Sequence, residues 1–295
     1  MYTSIVLVKQ VPDTANISGK VMKDDGTVNR ALLPAVFNHE DKVALELALR
    51  VKDKFGGKVI AITMGPPRAS DVLRNCLYMG ANEVYLISDR KFAGADTLAT
   101  SYVLSETIKY LGHYDFVFGG RQAIDGDTAQ VGPQTAEKLG IPQITYTEEI
   151  LEISGNKIKA RKKIDGGFEI VECTFPVLIT VIKEACEPRP FAAKRLMAYK
   201  NAKALTELEK LTEGNSLLYM DDLIYEYKNR NLFIPTITMD DLKLDPERCG
   251  IKGSPTKVHK VESVVLAGGT HINIEPTKDG MNRLVTELMD DHIIG

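Results

Sequence analysis

The chain has 295 residues, of which 44% are hydrophobic and 26% charged, a composition ordinary for a globular protein of one large domain or one and a half. The formal net charge is only −3, which argues against nucleic acid as a partner, because a phosphate-binding surface usually carries a basic excess.

The amino terminus and the cysteines bear on cellular location. The first apolar run, Ile5–Val8, stops at Lys9, which predicts a strand rather than a secretion signal. No apolar run reaches the roughly 20 residues needed to cross a bilayer, so we expect no membrane span. The four cysteines form no CxxC pair, which offers no zinc or cluster site and suits a protein of the reducing cytoplasm.

The first half of the chain alternates between short apolar strands and amphipathic helices. The predicted strands are Ile5–Val8, Lys58–Met64, Glu83–Ile87 and Asp115–Phe118. The predicted helices are Asp41–Phe55, Ser70–Met79, Thr97–Leu111 and Thr128–Leu139. Because such alternation forms parallel sheets covered on both faces, we expect an α/β fold with a mostly parallel, doubly wound sheet.

The pattern changes after Gln143 to short strands separated by hairpin turns. The predicted strands are Leu151–Ile153, Lys157–Lys162, Phe168–Glu172 and Val177–Ile182, with turns at Gly155-Asn156 and Asp165-Gly166-Gly167. An antiparallel extension of the sheet is therefore expected. The segment EPRP and a helix around Phe191–Tyr199 follow it.

The last third of the chain reads differently from the rest. Residues 203–212 and 219–229 are charged and lack strong core periodicity, and a helix is predicted at Met281–Met289. We therefore predict a domain of residues 1–199 and, in residues 200–295, a C-terminal arm and helix that lie on a partner.

The most informative stretch is residues 118–133, FGGRQAIDGDTAQVGP, which follows a strand and opens a helix. Gly119 and Gly120 allow a sharp turn and the close approach of a ligand. Asp127 or Thr128 is a candidate helix cap, and the free amides of the first helical turn suit a phosphate. A capped helix after a glycine turn explains the same pattern without a ligand. The stretch is neither a GxGxxG fingerprint nor a P-loop.

Two other stretches are candidates for contact with an adenosine group. Main-chain groups of VKQVPDT, from Val8, could pair with an adenine edge, although Pro12 and Asp13 also explain the stretch as a strand-ending turn. In FNHED, Asn38 could bond a ribose or cap the helix that follows. His39 has no partner histidine or cysteine nearby, so we interpret it as a packing or surface residue.

Two further stretches end at the same edge of the predicted sheet. In TMGPP, Gly65 makes room, and the segment would line the crevice beside Val8 and Lys9. In GADTLAT, Asp96 and Thr97 begin a helix and could face a flavin edge or a second phosphate, or could act only as a cap. The scattered histidines form no Ser-His-Asp or Cys-His arrangement, and Asp125 with Asp127 is weak evidence for a metal.

Together these stretches resemble the beta subunit of electron-transfer flavoproteins, in family order from about Ile5 to Val258. The motifs that carry the resemblance are VKQVPDT, FNHEDKVALELALRVK, GADTLAT, GGRQAIDGDTAQVGPQTAEKLG, EACEPRPFAAKRLMAYK and LDPERCGIKGSPTKV. The resemblance implies an α/β fold of adenine-nucleotide-binding type and a partner alpha subunit that carries flavin adenine dinucleotide (FAD). It also implies a nucleotide in this chain: adenosine monophosphate (AMP) in ordinary members, a second FAD in electron-bifurcating members.

The resemblance assigns cofactor binding to residues of these loops. They are Val8, Lys9, Asn38, Thr63, Met64, Gly65, Asp96, Thr97, Thr100, Gly120, Arg121, Gln122, Asp125, Gly126, Asp127, Thr128, Ala129, Gln130, Val131, Gly132 and Pro133. Gly126 and the GADTLAT motif resemble the bifurcating group, so FAD is the expected cofactor, with NADH as electron donor and ferredoxin as one acceptor.

The other expected acceptor is a flavin dehydrogenase of acyl-CoA dehydrogenase type, which the resemblance places at about Glu187–Lys200. Ala193 stands where ordinary members have a bulky anchor, which leaves the identity of that dehydrogenase open. Two alternatives remain at this point: an electron carrier holding AMP, and a nucleotide-binding regulatory module without redox chemistry.

Overall fold

The computed structural model describes residues 1–13, 34–212, 219–256 and 273–290. The chain forms two compact units, residues 1–258 and residues 259–295. In the second unit the described element is one helix, Lys278–Asp290, where the sequence predicts Met281–Met289.

Thirteen strands lie in the described part of the chain. They are β1 Tyr2–Leu7, β2 Gln10–Pro12, β3 Ala35–Phe37, β4 Gly57–Met64, β5 Glu83–Ile87, β6 Phe116–Gly120, β7 Gln143–Ser154, β8 Lys157–Ile164, β9 Gly167–Thr174, β10 Val177–Val181, β11 Lys203–Ala204, β12 Phe233–Ile234 and β13 Thr236–Ile237.

The α-helices of the described residues are α1 His39–Phe55, α2 Ser70–Met79, α3 Thr97–Leu111, α4 Val131–Leu139, α5 Ala193–Tyr199, α6 Leu205–Thr212, α7 Met220–Asn229, α8 Met239–Leu242 and α9 Lys278–Asp290. Short 3-10 helices occur at Pro67–Ala69, Arg90–Phe92 and Pro246–Arg248.

The main sheet has nine strands in the order β13-β5-β4-β1-β6-β10-β7-β8-β9. From β13 to β7 neighbouring strands are parallel. The chain runs outward from β1 through β4 to β5 and then returns to β6 on the other side of β1. This reversal creates a crevice at the carboxyl ends of β1 and β6, where open α/β sheets place ligand sites.

Helices cover both faces of the sheet, and β1 shows why. Val6 faces the cluster formed with α1 and α2, whereas Ile5 and Leu7 face the cluster formed with α3 and α4. All three side chains are almost fully buried, as expected where alternate residues of a strand point to opposite faces. The predicted doubly wound α/β fold is confirmed.

The predicted antiparallel extension is also confirmed. Strand β7 pairs with β8, and β8 with β9, in antiparallel register. The turns fall at the glycines that the sequence singled out, Gly155 and Gly166, both with positive φ. Strand β7 is longer than predicted, 12 residues, because its first residues pair in parallel with β10.

Residues after 200 pack on the main sheet, beyond the domain end predicted at residue 199. Strand β13 pairs with β5 at the edge of the main sheet, and Ile234, Ile237 and Met239 are buried. The first compact unit accordingly runs to residue 258 rather than to residue 199. Ile234 and Ile237 stand in two-residue strands and Met239 begins the four-residue helix α8, and all of these elements are too short to show a period in the sequence. Packing of the C-terminal residues on an alpha subunit stays a prediction.

No helix among the described residues combines the length and the apolar character needed to cross a membrane.

Candidate functional site

A cavity of about 970 Å³ lies at the carboxyl ends of β1, β4, β5 and β6. The buried apolar side chains of Leu7, Ile62 and Leu178 form part of its wall, and the loops after the strands add both apolar and polar residues. A cavity of this size, at the switch point of a doubly wound sheet, is where a ligand site is expected.

Most of the residues assigned to cofactor binding line this one cavity. These are Val8, Lys9, Met64, Gly65, Asp96, Thr97, Thr100, Gly120, Arg121, Gln122, Gly126, Asp127, Thr128, Ala129, Gln130, Val131 and Gly132. Asn38, Thr63, Asp125 and Pro133 are not part of its lining. The structure therefore brings loops from four separate strands to one place.

The segment from the last residue of β6 to the first turn of α4 has a defined local shape, and we name these residues, 120–132, the cradle loop. The amides of Gly126 and Asp127 both donate to the carbonyl of Ala123, and Gln122 Nε2 donates to the Asp127 carboxylate at 2.9 Å. Asp127 and Ala129 adopt positive φ, 48° and 53°. Non-glycine residues in this region cost about 1 kcal/mol or more each and concentrate at functional sites.

Three consecutive amide groups of the cradle loop have no acceptor in the part of the chain that the structure describes. Among the described residues, the backbone N–H groups of Thr128, Ala129 and Gln130 donate no hydrogen bond, and the first bond of α4 runs from Gln134 to Gln130. Ala129 is left-handed and Gln130 right-handed. Such alternation turns successive N–H groups toward one side, a concavity that suits an anion.

The predicted cap of this helix is wrong. Helix α4 begins at Val131, three residues later than expected, and the residue before it, Gln130, caps it without a side-chain hydrogen bond. Neither Asp127 nor Thr128 can cap the helix, because the positive-φ turn at Asp127 and Ala129 separates them from it. The amides that a cap would occupy stay available.

Capping by Asn38 is also not what the structure shows. Helix α1 has no side-chain capping bond. The side-chain nitrogen of Asn38, Nδ2, donates instead to the carbonyl of Gln122 at 2.9 Å, and the side-chain oxygen accepts from the backbone amide of Ile124 at 3.4 Å. Asn38 is fully buried, so it contacts the cradle loop from behind the cavity lining.

Lys9 is held by an acidic residue of the cradle loop. Its Nζ donates to both carboxylate oxygens of Asp125 at 2.8 Å. Both side chains are partly exposed, so the pair contributes little stability by itself. Its effect is to place an ammonium group at the cavity wall and to join the end of β1 to the cradle loop.

The start of α3 forms the opposite rim of the cavity. Asp96 caps this helix by accepting from the amide of Ala99 at 3.0 Å, as the sequence allowed. Burial alone would raise the pKa of Asp96, but hydrogen bonds from Ala99 and Thr256 outweigh it and lower that pKa. The Thr97 hydroxyl donates to Gln130 Oε1 at 3.0 Å, which ties the rim to the cradle loop.

Two residues of the cavity lining, Arg121 and Thr206, each have a buried polar atom without a partner within the described residues, Nε and Oγ1 respectively. Thr63 Oγ1, behind the lining, is a third such atom. Buried polar groups are usually satisfied. Thr63 is buried near the end of β4, next to Met64, which lines the cavity. The free amides of the cradle loop fit a ligand that carries several acceptor groups.

Sequence reasoning missed the segment after β5. From Ser88 to Ala95, every residue except Lys91 lines the cavity. The signal was available, since this segment follows a predicted strand at the same sheet edge as the others. It also missed that Asp41, read as part of a helix start, reaches the cavity lining. No cluster of His, Cys, Asp or Glu that could hold a metal ion occurs in the part of the chain that the structure describes.

Fold and cavity define an α/β domain that presents a large cavity on the loops after its parallel strands. A family model described as the electron transfer flavoprotein domain matches residues 25–210. The chain belongs to the electron transfer flavoprotein family, as its motifs predict.

Relatives that extend over nearly the whole chain specify the subunit. A protein of Clostridium acetobutylicum named electron transfer flavoprotein subunit beta is 41% identical over 290 residues, which cover 98% of this chain and 99% of the relative. The caffeyl-CoA reductase-Etf complex subunit CarD of Acetobacterium woodii is 39% identical over 293 residues, 98% of this chain and 99% of the relative.

A third relative is the acryloyl-CoA reductase electron transfer subunit gamma of Anaerotignum propionicum, 40% identical over 295 residues and 98% of each chain. The predicted likeness to beta subunits is confirmed, and a beta subunit implies an alpha-subunit partner.

Proposed function

We propose that the chain is the beta subunit of a heterodimeric electron-transfer flavoprotein that binds FAD in its cavity. With the alpha subunit it would divide electrons from NADH between ferredoxin and a flavin dehydrogenase of acyl-CoA dehydrogenase type. The observation that carries the proposal is the size and place of the cavity. Ligand pockets span about 300–1,000 Å³, and this one, about 970 Å³, lies at the upper end, which favours a dinucleotide over AMP.

The residues around the cavity fit the parts of a dinucleotide. The free amides of Thr128, Ala129 and Gln130 would bind the diphosphate, and main chain at Val8 and Met64–Gly65 would face the adenine. Gly126 has no atom within 4 Å of the place where a side chain would begin, so open space lies beside the cradle loop. A bound flavin supplies the redox chemistry, and the protein binds and orients it.

The names of the relatives support the proposed acceptor. Two relatives are called parts of caffeyl-CoA and acryloyl-CoA reductase systems, so an acceptor that works on CoA thioesters is proposed here. The proposed docking segment, Glu187–Lys200, presents Phe191 and Met197 at 39% and 62% exposure. The C-terminal residues would pack on the alpha subunit, and a cytoplasmic location fits the four unpaired thiols.

Two other functions compete with this proposal. In the first, the chain is an electron carrier that holds AMP in the same cradle. In the second, it is a nucleotide-binding regulatory module without redox chemistry.

Counting bound cofactors distinguishes the three. The purified heterodimer is heated, and the released FAD and AMP are quantified per heterodimer. Two FAD support our proposal, one FAD with one AMP supports the carrier, and a colourless protein supports the regulatory module. Ferredoxin reduction by NADH that requires the acyl-CoA acceptor is the expected activity, and no ferredoxin reduction with two FAD bound would contradict bifurcation.

A further inference from the structure

The start of helix α1 holds three buried polar side chains that the helix itself does not use. Asn38, Glu40 and Asp41 are at most 7% exposed, and α1 has no side-chain cap. Burying a carboxylate is costly unless it is paired or hydrogen-bonded. We name these three residues the α1 clamp, and their partners explain their burial.

Asp41 joins the ends of two strands. One carboxylate oxygen accepts from the amide of Lys9 and the other from the amide of Gly120, both at 2.9 Å. Lys9 follows β1, and Gly120 is the last residue of β6. An ionised carboxylate can accept both bonds, because neither of its oxygens carries a hydrogen.

The other two clamp residues, Glu40 and Asn38, bind residues 121–124 of the cradle loop. Glu40 accepts from the amide of Gln122 at 2.9 Å and pairs with Arg121 at 3.0 Å. Asn38 donates to the carbonyl of Gln122 and accepts from the amide of Ile124. The clamp therefore bonds the main chain at residues 120, 122 and 124, where alternate residues face α1.

Gly120 makes this approach possible. A Cβ atom at Gly120 would lie 2.5 Å from Asp41 Oδ1 and 2.8 Å from Glu40 Cβ, distances that real Cβ atoms do not reach. Gly120 therefore allows the clamp to pack directly against the end of β6, on the side away from the cavity.

We propose that Asn38, Glu40 and Asp41 are positioning residues that fix the cradle loop for nucleotide binding, and that the ionised form of Asp41 is the one that holds it. The inference rests on the proposed nucleotide site, but not on which nucleotide occupies it.

Protonation of Asp41 is the means by which the clamp responds to pH. Burial raises the pKa of Asp41 to about 7, against the lowering effect of Asn38, of the two amides and of the Lys9 charge. The charged group that acts on it is Lys9, and the carboxylate of the adjacent Glu40 is paired with Arg121. From α2, the Cys76 thiol faces it; burial, and then the Asp41 charge, raise the pKa of that thiol well above its usual range, so Cys76 stays neutral.

A protonated Asp41 carries a hydrogen on one oxygen and can no longer accept both amides without strain. Nucleotide affinity should therefore fall as pH drops through about 7. Because a hydrogen bond to a charged group contributes about 1.5–3 kcal/mol, equal to tenfold or more in an equilibrium constant, the loss should reach about tenfold.

The experiment uses the heterodimer stripped of nucleotide, titrated with FAD and separately with AMP by calorimetry between pH 5.5 and 8.5, a range of about 1.5 units on either side of the expected midpoint. Asp41→Asn keeps the shape of the side chain but presents a donor to one of the two amides. Asp115→Asn is the matched control, since Asp115 also accepts a backbone amide, that of Thr3 at 2.8 Å, at the opposite ends of the same two strands. The alpha-subunit flavin site serves as an internal reference.

Wild type and Asp115→Asn should bind the beta-site nucleotide about tenfold more weakly at the acid end than at the alkaline end. Asp41→Asn should bind weakly at every pH, with a flat profile. The inference is overturned if the nucleotide affinity of the wild type does not change with pH, a result that needs no variant. It is also overturned if the affinity of Asp41→Asn still changes with pH. Binding of AMP in place of FAD overturns only the proposed cofactor, and binding of neither overturns both.

Discussion

Glu46, in the middle of α1, binds Arg189 of the EPRP segment through both its carboxylate oxygens. Glu46 Oε2 accepts from Arg189 Nε at 2.7 Å and from the Arg189 amide at 3.1 Å, and Oε1 accepts from Nη2 at 3.2 Å. Burial would raise the pKa of Glu46, but Arg189 and Arg50 lower it overall. The helix that bears the α1 clamp therefore also holds the start of the proposed docking segment.

Glu46→Gln should loosen this segment without changing the cavity. We expect a lower Tm, corresponding to about 1–3 kcal/mol because a buried charge partner is lost, and slower electron transfer to the dehydrogenase. Flavin content should not change. Glu226→Gln, which breaks a half-exposed pair with Arg230, is the control. Normal transfer at a lowered Tm would argue against a link to docking.

The approach of α4 to β10 can be tested by a paired substitution. A Cβ at Gly132 would lie 2.6 Å from Thr180 Cγ2, so Gly132→Ala should destabilise by about 1–3 kcal/mol. Thr180→Ser removes that methyl group and keeps the hydroxyl that accepts from Tyr146. The double variant should recover most of the Tm and of the nucleotide affinity. A loss that is simply additive would show that the crowding lies elsewhere.

Gly126→Val tests the open space beside the cradle loop. Since no atom lies within 4 Å of the added Cβ, the Tm of the nucleotide-free heterodimer should change little. Flavin content after gel filtration should fall, because the side chain would enter the space proposed for the ligand. Gly167→Val, also at an open glycine but on the β8–β9 hairpin, should keep its flavin. Full flavin content in Gly126→Val would move the ligand away from this loop.

Asp96 ties the rim of the cavity to the segment after residue 249. Its carboxylate accepts from both the amide and the hydroxyl of Thr256 and caps α3 as well. Asp96→Ala should cost about 1 kcal/mol from the cap plus the loss of the link, whereas Thr256→Val loses only the hydroxyl bond. Thermal unfolding should rank Asp96→Ala below Thr256→Val, and equal Tm values would show that the cap contributes nothing.

The free energy of unfolding should depend on pH because Asp41 is buried. Its pKa rises from 3.8 to about 7 on folding, so between these values the folded state holds more protons than the unfolded state, and raising the pH destabilises it. The free energy of unfolding of wild type, relative to Asp41→Asn, should decline as pH rises from about 4 to about 7. Denaturant titrations at several pH values measure it; a rising or constant difference would refute the assigned shift.

The sequence by itself determined the α/β class and the antiparallel extension, and its family motifs indicated half of the cavity-lining residues. The first two follow from local causes: the period of apolar residues and glycine turns such as Gly155. Helices α2 and α3 have the predicted bounds, because apolar spacing and a closing glycine mark each of them within a few residues.

Only the tertiary structure decided what depends on residues far apart in the chain. Asn38 and Asp41 read as an ordinary helix start, but 79 residues separate Asp41 from its partner Gly120. The start of α4 was misplaced because its preceding turn needs non-glycine residues at positive φ, which no local propensity favours. Strand β13 joins β5 across about 150 residues, and a two-residue strand gains its stability from the sheet edge rather than from its own sequence.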